Sequence, residues 1–425
     1  MTSLSDVFIV GGQPTLTYVA REELRLEYVL RDYLKFGYKV LSVSGPTKSG
    51  KTVLCRRILP TTGAIWLSGG EIQSEDDFWL RVVSELGAPT SLTEGRGRQL
   101  SLDLDGKAKG GLSIPLLAKG GVELGIGGGF SQTNSKSSTI SLDQKTASIK
   151  ALLDNKIPLV IDDFHYITRS VQQRIVRALK RPIFDGLRVV LIAVPHRAFD
   201  VVKSEKEMTG RVEQVSIPLW NKEDLSEISS RGSTPLNIVF EEEGVSEFVK
   251  QSFGSPHLMQ EFCQQICREN SIYETVPKLM TIKRPPNPVE FFKRISQSTA
   301  KPAFDHLKRG PRQRTDRIRR KFKDGTVGDI YIAVLKGLAH CEAEAELTYE
   351  SIRAALREVM SDNVPQAHEI GRVLVQMSKI AKEKSEGSEP VLDWVEDERT
   401  LYISDPFFAF YLRWSDLSGA GVIGA

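Results

Sequence analysis

Five short apolar runs alternate with helical patterns in the first half of the chain. The runs have the length of buried strands, and the segments between them carry apolar residues three and four positions apart. The runs span residues 40–43, 63–69, 158–161, 187–194 and 212–219. We therefore expect an α/β fold in which a parallel sheet is covered by helices on both faces.

Two helical patterns flank the first strands, and a glycine-rich segment follows them. A helical period ahead of the first strand is carried by Leu24, Tyr28, Leu30 and Leu34. Residues 76–87 carry the second pattern. Residues 88–145 break the rhythm, because nine glycines lie between Gly106 and Gly129. This segment predicts an inserted, β-hairpin-like ribbon, and a disordered linker is the alternative.

The second half of the chain predicts three further regions. Residues 220–285 carry helical patterns and predict an all-helical lid, and KRPPNP marks the linker that follows. Residues 329–425 show three helical patterns and then two strand-like pieces, which is the order of a winged helix. The predicted domains are a core over 1–219, a lid over 220–285, a basic linker over 286–328 and a winged-helix domain over 329–425.

The basic linker is a candidate nucleic-acid contact. Residues 308–323 hold nine Lys or Arg against a single acid. This density predicts phosphate binding if the residues share a face, with Arg317, Arg319 and Arg320 as the candidate DNA contacts. A solvated linker, or a dock for an acidic partner, is the alternative. The third helical pattern of the last domain, residues 366–383, carries acids beside its bases, so packing against a protein competes with DNA contact there.

Composition limits the class of protein to which the chain can belong, but it does not identify a function. The chain has 425 residues, 40% of them hydrophobic and 26% charged, which is typical of a folded protein with several domains. The net charge of +3 does not itself indicate a nucleic-acid partner. No apolar run approaches the ~18 residues of a membrane span, so we expect a cytoplasmic protein without a membrane partner. The four cysteines lack metal-site spacing, and we expect buried thiols at Cys263 and Cys267.

The clearest chemical motif follows the first strand. The segment GPTKSGKT, from Gly45 to Thr52, is GxxxxGK[ST] with a strand before it and a helix after it. Gly45 and Gly50 permit a tight loop whose N–H groups face phosphate oxygens. Lys51 would reach the β- and γ-phosphates, and the Thr52 hydroxyl would bind Mg²⁺. The motif therefore predicts that the protein binds ATP and Mg²⁺.

Two neighbouring acids end the third apolar run, in LVIDD. Asp162 fits the Walker B position, which holds Mg²⁺. Asp163 then lies next to the γ-phosphate, where a carboxylate can polarise the attacking water. Its side chain is about one methylene shorter than that of Glu, which predicts slow hydrolysis. The alternative for Asp163 is a cap for a helix that starts near Ser170, or a solvated turn.

The order of these parts resembles the AAA+ and STAND superfamily of P-loop ATPases, among them origin-recognition-type initiators and archaeal-type regulatory ATPases with a helical lid and a C-terminal winged helix. The phosphate loop and the paired aspartates carry the resemblance. It covers nearly the whole chain except the insertion and the basic linker. It implies that TYVARE lies at the adenine, with Tyr18, Val19 and Arg21 at the base or its surroundings.

The resemblance also implies roles for the lid turn and for two arginines. GSPHLM is similar to the lid turn of these proteins, with Pro256 near adenine and His257 at the sensor 2 place, and a structural histidine is the alternative. Arg197 takes the sensor 1 position, which reads the γ-phosphate. Arg211 matches the position from which an arginine finger enters a neighbouring subunit. The nucleotide-binding residues implied in total are Gly45, Pro46, Thr47, Lys48, Ser49, Gly50, Lys51, Thr52, Val53, Tyr18, Val19, Arg21, Pro256 and His257.

Three functions are consistent with these residues. The leading one is a slowly hydrolysing ATP switch that regulates a partner through self-association or a protein effector, with prokaryotic anti-phage defence as a setting suggested by analogy alone. The second is a DNA-loading or DNA-remodelling ATPase that assembles on nucleic acid. The third is a subunit that binds ATP without hydrolysing it.

Overall fold

The predicted parallel sheet is present, and each of the five apolar runs forms one of its strands. The computed structural model describes residues 1–87, 91–92, 100–101, 144–194, 210–297, 300–312, 317–341, 345–385 and 390–415. The sheet strands are β1 (Val40–Ser44), β2 (Ile65–Ser68), β5 (Leu159–Asp162), β6 (Val189–Ala193) and β7 (Val212–Ser216). Strands β3 (Ser91–Leu92) and β4 (Leu100–Ser101) form a separate antiparallel pair. The rest of the predicted insertion lies outside the described residues.

The strand order is β2-β5-β6-β1-β7, and every pairing is parallel. Parallel strands place all their carboxyl ends at one edge and all their amino ends at the other. Ser44 and Asp162, which end β1 and β5, therefore share the carboxyl edge, with β6 between them. This edge carries the chemistry that the sequence predicts.

The chain forms two compact units. One contains residues 27–44 and 54–216, and we call it the sheet unit; the other contains residues 1–26, 45–53 and 217–425, and we call it the lid unit. The first six helices are α1 (Leu4–Val7), α2 (Leu26–Phe36), α3 (Lys51–Ile58), α4 (Glu75–Glu85), α5 (Gln144–Asp154) and α6 (Arg169–Phe184). In the sheet unit, helices α4, α5 and α6 bury Trp79, Leu152 and Ile175 with the β2 and β5 side chains.

Helix α2 forms where a helix is predicted, but two of the four apolar residues that predicted it lie outside its buried face. Leu24 and Tyr28 are 40% and 56% exposed, whereas Leu30 and Tyr33 are buried. The reason lies in the chain before the helix. Leu24 ends a short 3₁₀ turn whose flanking residues take left-handed φ angles near 50°, so the α-helix begins only at Leu26 and its apolar face is set from there.

The predicted lid is mainly helical. It contains α7 (Lys222–Leu236), α8 (Glu242–Gln251) and α9 (Pro256–Glu269). A short parallel pair, β8 (Ile238–Phe240) with β9 (Met280–Ile282), adds two strands that the prediction of an all-helical lid does not include. Three residues per strand are too few for a periodic signal. The sequence pattern around Cys263 and Cys267 predicted buried thiols, and both are fully buried in α9.

The segment expected to be a basic linker contains two helices, α10 (Pro288–Ser296) and α11 (Lys301–Arg309). Phe292 of α10 packs in the lid core, and Phe304 and Leu307 of α11 pack in the C-terminal core. The prediction of a basic linker did not include these helices, which form because apolar side chains at helical spacing lie among the basic ones. The domain boundaries themselves stay predictions.

The C-terminal region contains the predicted three helices followed by a hairpin. The helices are α12 (Ile330–His340), α13 (Tyr349–Val359) and α14 (Ala367–Lys384), and α15 (Pro406–Trp414) follows the hairpin. The strands are β10 (Arg320–Lys321) with β11 (Val327–Gly328), and then β12 (Glu346–Thr348), β13 (Leu392–Val395) and β14 (Thr400–Ile403) in the order β12-β14-β13. This is the order of elements that a winged helix has. Among the described residues, no helix is long and apolar enough to cross a membrane.

Candidate functional site

The phosphate loop begins directly after β1. A Cβ at Gly45 would lie 2.5 Å from the carbonyl oxygen of Ile217, which is too close for any side chain. Lys48 and Gly50 take left-handed φ angles of 61° and 92° and bring the chain to the start of α3 at Lys51. The loop therefore has the glycine-dependent turn that the motif predicts.

The Lys51 ammonium lies over the loop that precedes it. Its Nζ donates to the carbonyl oxygens of Gly45 (2.7 Å) and Pro46 (2.8 Å), and the residue is buried. A charged phosphate oxygen accepts a stronger hydrogen bond from an ammonium than a neutral carbonyl oxygen does. Lys51 is therefore able to exchange these loop carbonyls for a phosphate.

Two side chains hold the loop from the surrounding lid unit. Trp220 Nε1 donates to the Ser49 carbonyl oxygen at 2.9 Å, and Gln13 Nε2 donates to the Val53 carbonyl oxygen at 3.0 Å. Because both bonds end on the loop backbone, they fix its shape without using the groups that would face a phosphate. The sequence reasoning missed both residues, since neither belongs to a motif.

The Arg21 side chain makes its hydrogen bonds to other residues of the protein. Its guanidinium donates to Asp224 (3.0 Å) and to the carbonyl oxygens of Pro218 and Leu219, and it lies 5.0 Å from the centre of the Trp220 ring. Burial lowers the pKa of Arg21, and the bond to Asp224 opposes that shift. Arg21 therefore supports the loop through Trp220, and its predicted place at the base or its surroundings stays a prediction.

The other residues of the predicted adenine segment are buried. Tyr18 and Val19 are 8% and 4% exposed, and the Tyr18 carbonyl oxygen accepts a hydrogen bond from Arg231 at 2.6 Å. Thr17 completes the anchoring, because its hydroxyl accepts from Gln260 of helix α9. The segment is thus tied to two lid helices, α7 and α9, and adenine contact stays a prediction.

The lid turn and the C-terminal helix α15 meet at the phosphate loop. The His257 ring packs edge-on against the Phe407 ring, 4.9 Å between centres, and Lys48 Nζ lies 5.8 Å from the centre of the same ring. Burial, followed by the Lys48 charge, lowers the pKa of His257 to about 4. His257 is therefore neutral near pH 7, and Pro256 beside it starts α9.

Asp405, at the amino end of α15, completes this cluster. Its carboxylate accepts the Phe407 N–H at 2.8 Å and caps the helix. Burial raises the pKa of Asp405, and the N–H bonds and the Lys48 charge oppose the shift. No sequence pattern predicts this cluster, because SDPFFAFYLRW has the composition of plain core.

The two acids of LVIDD lie at the carboxyl edge of the sheet. Asp162 ends β5, and its Oδ1 accepts the N–H of Asp163 at 3.0 Å. Asp163 takes a left-handed φ of 53°, which is a strained conformation for a non-glycine residue. Its carbonyl oxygen would lie 2.2 Å from a Cβ at Gly69, so only glycine fits there. Asp163 does not cap α6, whose cap position is Thr168.

Of the two predicted catalytic arginines, the structure describes only Arg211. Arg197 lies outside the described residues. Arg211 is exposed and directly precedes β7, and its carbonyl oxygen accepts the N–H of Val40 at the start of β1. It therefore lies at the amino edge of the sheet, about 16 Å from the carboxyl edge over a five-residue strand. Its predicted role as a finger stays untested.

Two of the three predicted DNA contacts are used inside the protein. Arg320 is buried and pairs with Glu369 at 2.9 Å. Arg317 pairs with Asp329 at 2.6 Å and lies 4.5 Å from the centre of the Tyr331 ring. Arg319 is exposed. The expectation of a shared basic face is therefore wrong for Arg317 and Arg320, because folding turns them toward acids that sequence spacing does not reveal.

The donor groups available suit Mg²⁺ bound together with a nucleotide. The Thr52 hydroxyl, in the lid unit, and the Asp162 carboxylate, in the sheet unit, are each hard oxygen donors of the kind that Mg²⁺ prefers. No cluster of three or more His, Cys, Asp or Glu that could hold a metal occurs among the described residues. Binding of one Mg²⁺ ion by Thr52 and Asp162 stays a prediction.

Comparison with known proteins identifies the fold. No family model matches the chain, and no curated protein matches it. A Walker-type ATPase of Pyrococcus abyssi is similar over 94% of this chain and 100% of its own, with 14% identity and a TM-score of 0.53. The ORC2 protein of Aeropyrum pernix is similar over 96% of each chain, with 12% identity and a TM-score of 0.46. The first likeness shows the fold of a P-loop ATPase, and the predicted resemblance is confirmed at that level.

Proposed function

We propose that this protein is an ATP-binding and slowly hydrolysing molecular switch. The phosphate loop with Lys51 would hold the phosphates, and Thr52 with Asp162 would hold Mg²⁺. The bound ion would neutralise phosphate charge. Asp163 would accept a proton from the attacking water, and its short side chain would keep turnover slow.

The observation that carries the switch is the contact of α15 with the phosphate loop. Lys48 belongs to the loop, its Nζ lies 5.8 Å from the centre of the Phe407 ring, and its charge acts on the Asp405 carboxylate. A triphosphate brings several negative charges to the same loop, so it competes with Asp405 for this ammonium. Nucleotide binding would therefore weaken the attraction between Lys48 and Asp405 and so affect the C-terminal region directly.

His257 adds a second link in the same contact. It is neutral, packs on Phe407 and lies one residue into α9, so a shift of the lid turn would disturb α15. Arg197 would read the γ-phosphate, as the resemblance implies. Two arrangements of the lid, whose balance depends on whether a γ-phosphate is bound, are the usual physical basis of a nucleotide switch.

The output would be delivered to a partner. We infer that the C-terminal region, once released, self-associates or binds a protein effector. Regulation of anti-phage defence in a prokaryote is one setting for this output, and it rests on analogy alone.

Steady-state ATP turnover tests the hydrolytic part. The wild type should turn ATP over slowly, Lys51→Ala should lose turnover, and Asp163→Ala should retain nucleotide binding while losing most of the rate. Asp163→Glu should raise the rate if side-chain length limits it. Equal and negligible rates in wild type, Lys51→Ala and Asp163→Ala would leave only structural ATP binding.

A second candidate function is favoured by the exposed face of α14. His368, Arg372, Val375, Lys379 and Lys382 are exposed at spacings of four and three residues and lie along one face, on which Lys379 pairs with Glu383 (4.0 Å) and Lys382 with Asp393 (2.5 Å). Glu369 faces Arg320 instead. This face fits a helix that contacts duplex DNA, as in a DNA-loading or DNA-remodelling ATPase. Glu396, Asp397 and Glu398 in the hairpin turn oppose phosphate contact, so we place the switch first.

Duplex binding separates the two candidates. If α14 contacts DNA, duplex affinity should fall steeply with salt, and Arg372→Glu with Lys379→Glu should reduce it about tenfold or more. A protein that ignores duplex DNA at low salt does not function as a loader.

A further inference from the structure

Three cations lie side by side at the amino edge of the sheet. Arg188, Lys39 and Arg211 directly precede β6, β1 and β7, which are adjacent strands. The register pairs the first residues of these strands, so the residues before them are neighbours too. Strands lie about 4.8 Å apart, and the three cations therefore share about 10 Å of the edge.

The short segments that end in the three cations contain no acid of their own. They read Gly37-Tyr-Lys39, Gly186-Leu-Arg188 and Gly210-Arg211. Asp185, which directly precedes Gly186, pairs with Arg181 at 3.7 Å. Lys156 is also exposed, three residues before the neighbouring strand β5, with the exposed Asp154 two residues before it. Like charges on neighbouring strands repel one another, which costs stability unless an anion lies between them. The row therefore favours a ligand with several negative charges.

Exposed aromatic rings accompany the cations. Phe36 and Tyr38 are each 61% exposed, and Phe184 is 70% exposed. Within the described part of the sheet unit, only one other large hydrophobic residue, Tyr28, is comparably exposed, at 56%. Three of these four rings thus lie at the ends of α2 and α6 or in the turn after α2, beside the cation row.

Arg188 gives this surface a fixed shape. Its guanidinium donates to the carbonyl oxygens of Leu34 (3.1 Å) and Gly186 (2.6 Å), and so joins the end of α2 to the turn after α6. The Tyr38 ring lies 5.0 Å from the same guanidinium. The Tyr38 ring is therefore positioned before any ligand arrives, which reduces the entropy lost on binding.

We propose that this amino edge binds single-stranded nucleic acid. Phosphates would lie along the cation row, and unpaired bases would stack on Tyr38, Phe36 and Phe184. A charged groove with exposed aromatic rings is the combination that binds single strands with little sequence preference. A duplex keeps its bases stacked inside, so it can use the cations but not the rings.

Fluorescence anisotropy with labelled 20-mers of oligo(dT) and oligo(U) tests the proposal on the full chain. Both arms, DNA and RNA, should show binding at low salt that weakens as salt rises, and a duplex of equal length should bind this edge more weakly. Tyr38→Ala and Phe184→Ala should each weaken binding about tenfold. Lys39→Glu should weaken binding and lower the salt dependence by about one ion.

Matched controls lie in the lid unit. Tyr273 is 63% exposed and Lys278 is exposed, so Tyr273→Ala and Lys278→Glu repeat the same chemical changes elsewhere. These controls should bind as wild type does, and all variants should melt within a few degrees of it. Arg211 is left unchanged, because it is also a candidate finger. The proposal would be overturned if the wild type did not bind single strands, or if the control variants lost as much affinity as the test variants. It would also be overturned if the test variants changed the oligomeric mass of the protein but bound the oligonucleotides as the wild type does.

Discussion

Individual residues in the phosphate loop show why glycine is required there. The space beside Gly45 is filled by the Ile217 carbonyl oxygen, whereas Gly371 in α14 has nothing within 4 Å of an added Cβ. The motif predicts from sequence alone that residue 45 must be glycine. The structure adds which atom obstructs a side chain there, the Ile217 carbonyl oxygen.

Alanine substitutions at these two glycines should have opposite effects. Gly45→Ala should abolish nucleotide binding, because the loop must move to relieve a 2.5 Å contact. Gly371→Ala should stabilise the protein by up to about 1 kcal/mol, since alanine is favoured over glycine inside a helix. Fluorescent ATP titration and urea unfolding measure the two outcomes. A Gly45→Ala protein that binds ATP as wild type does would contradict the loop geometry.

His257 should make the stability of the protein fall in mild acid. The folded-state pKa, about 4, lies below the ordinary value of 6.5. Stability from the neutral ring is therefore full above about pH 6.5 and is lost as pH falls toward 4, by at most about 3 kcal/mol. Urea midpoints from pH 7.5 to 5 should decline more for wild type than for His257→Gln. Parallel declines would mean that other groups dominate.

At the scale of elements, the sheet could be predicted because its strands are apolar runs buried on both faces. The β5 run and its two acids are the plainest case. Contacts that join distant elements could not be predicted in this way. Arg320 and Glu369 lie 49 residues apart, and Phe407 reaches Lys48 across most of the chain. No local pattern encodes such pairs.

The contact between α15 and the phosphate loop should hold the C-terminal region in place. Phe407→Ala removes the ring that His257 and Lys48 share, so the C-terminal region should be released more readily. We expect more self-association without nucleotide, measured by light scattering, and tighter ATP binding. Tyr273→Ala changes an exposed ring elsewhere and serves as the control. If Phe407→Ala unfolds the protein, Phe407→Leu keeps most of the packing and should show the same direction of change.

At the scale of the whole molecule, the position of Arg211 decides whether hydrolysis needs more than one copy. The sheet separates its amino edge, where Arg211 lies, from its carboxyl edge by about 16 Å, and a side chain cannot span that length. If Arg211 acts as a finger, it therefore acts on a second copy. Arg211→Ala and Lys51→Ala, each inactive alone, should regain part of the ATP turnover when mixed, because a mixed assembly contains one complete pair. Full activity of Arg211→Ala at concentrations where the protein is monomeric would remove Arg211 from catalysis.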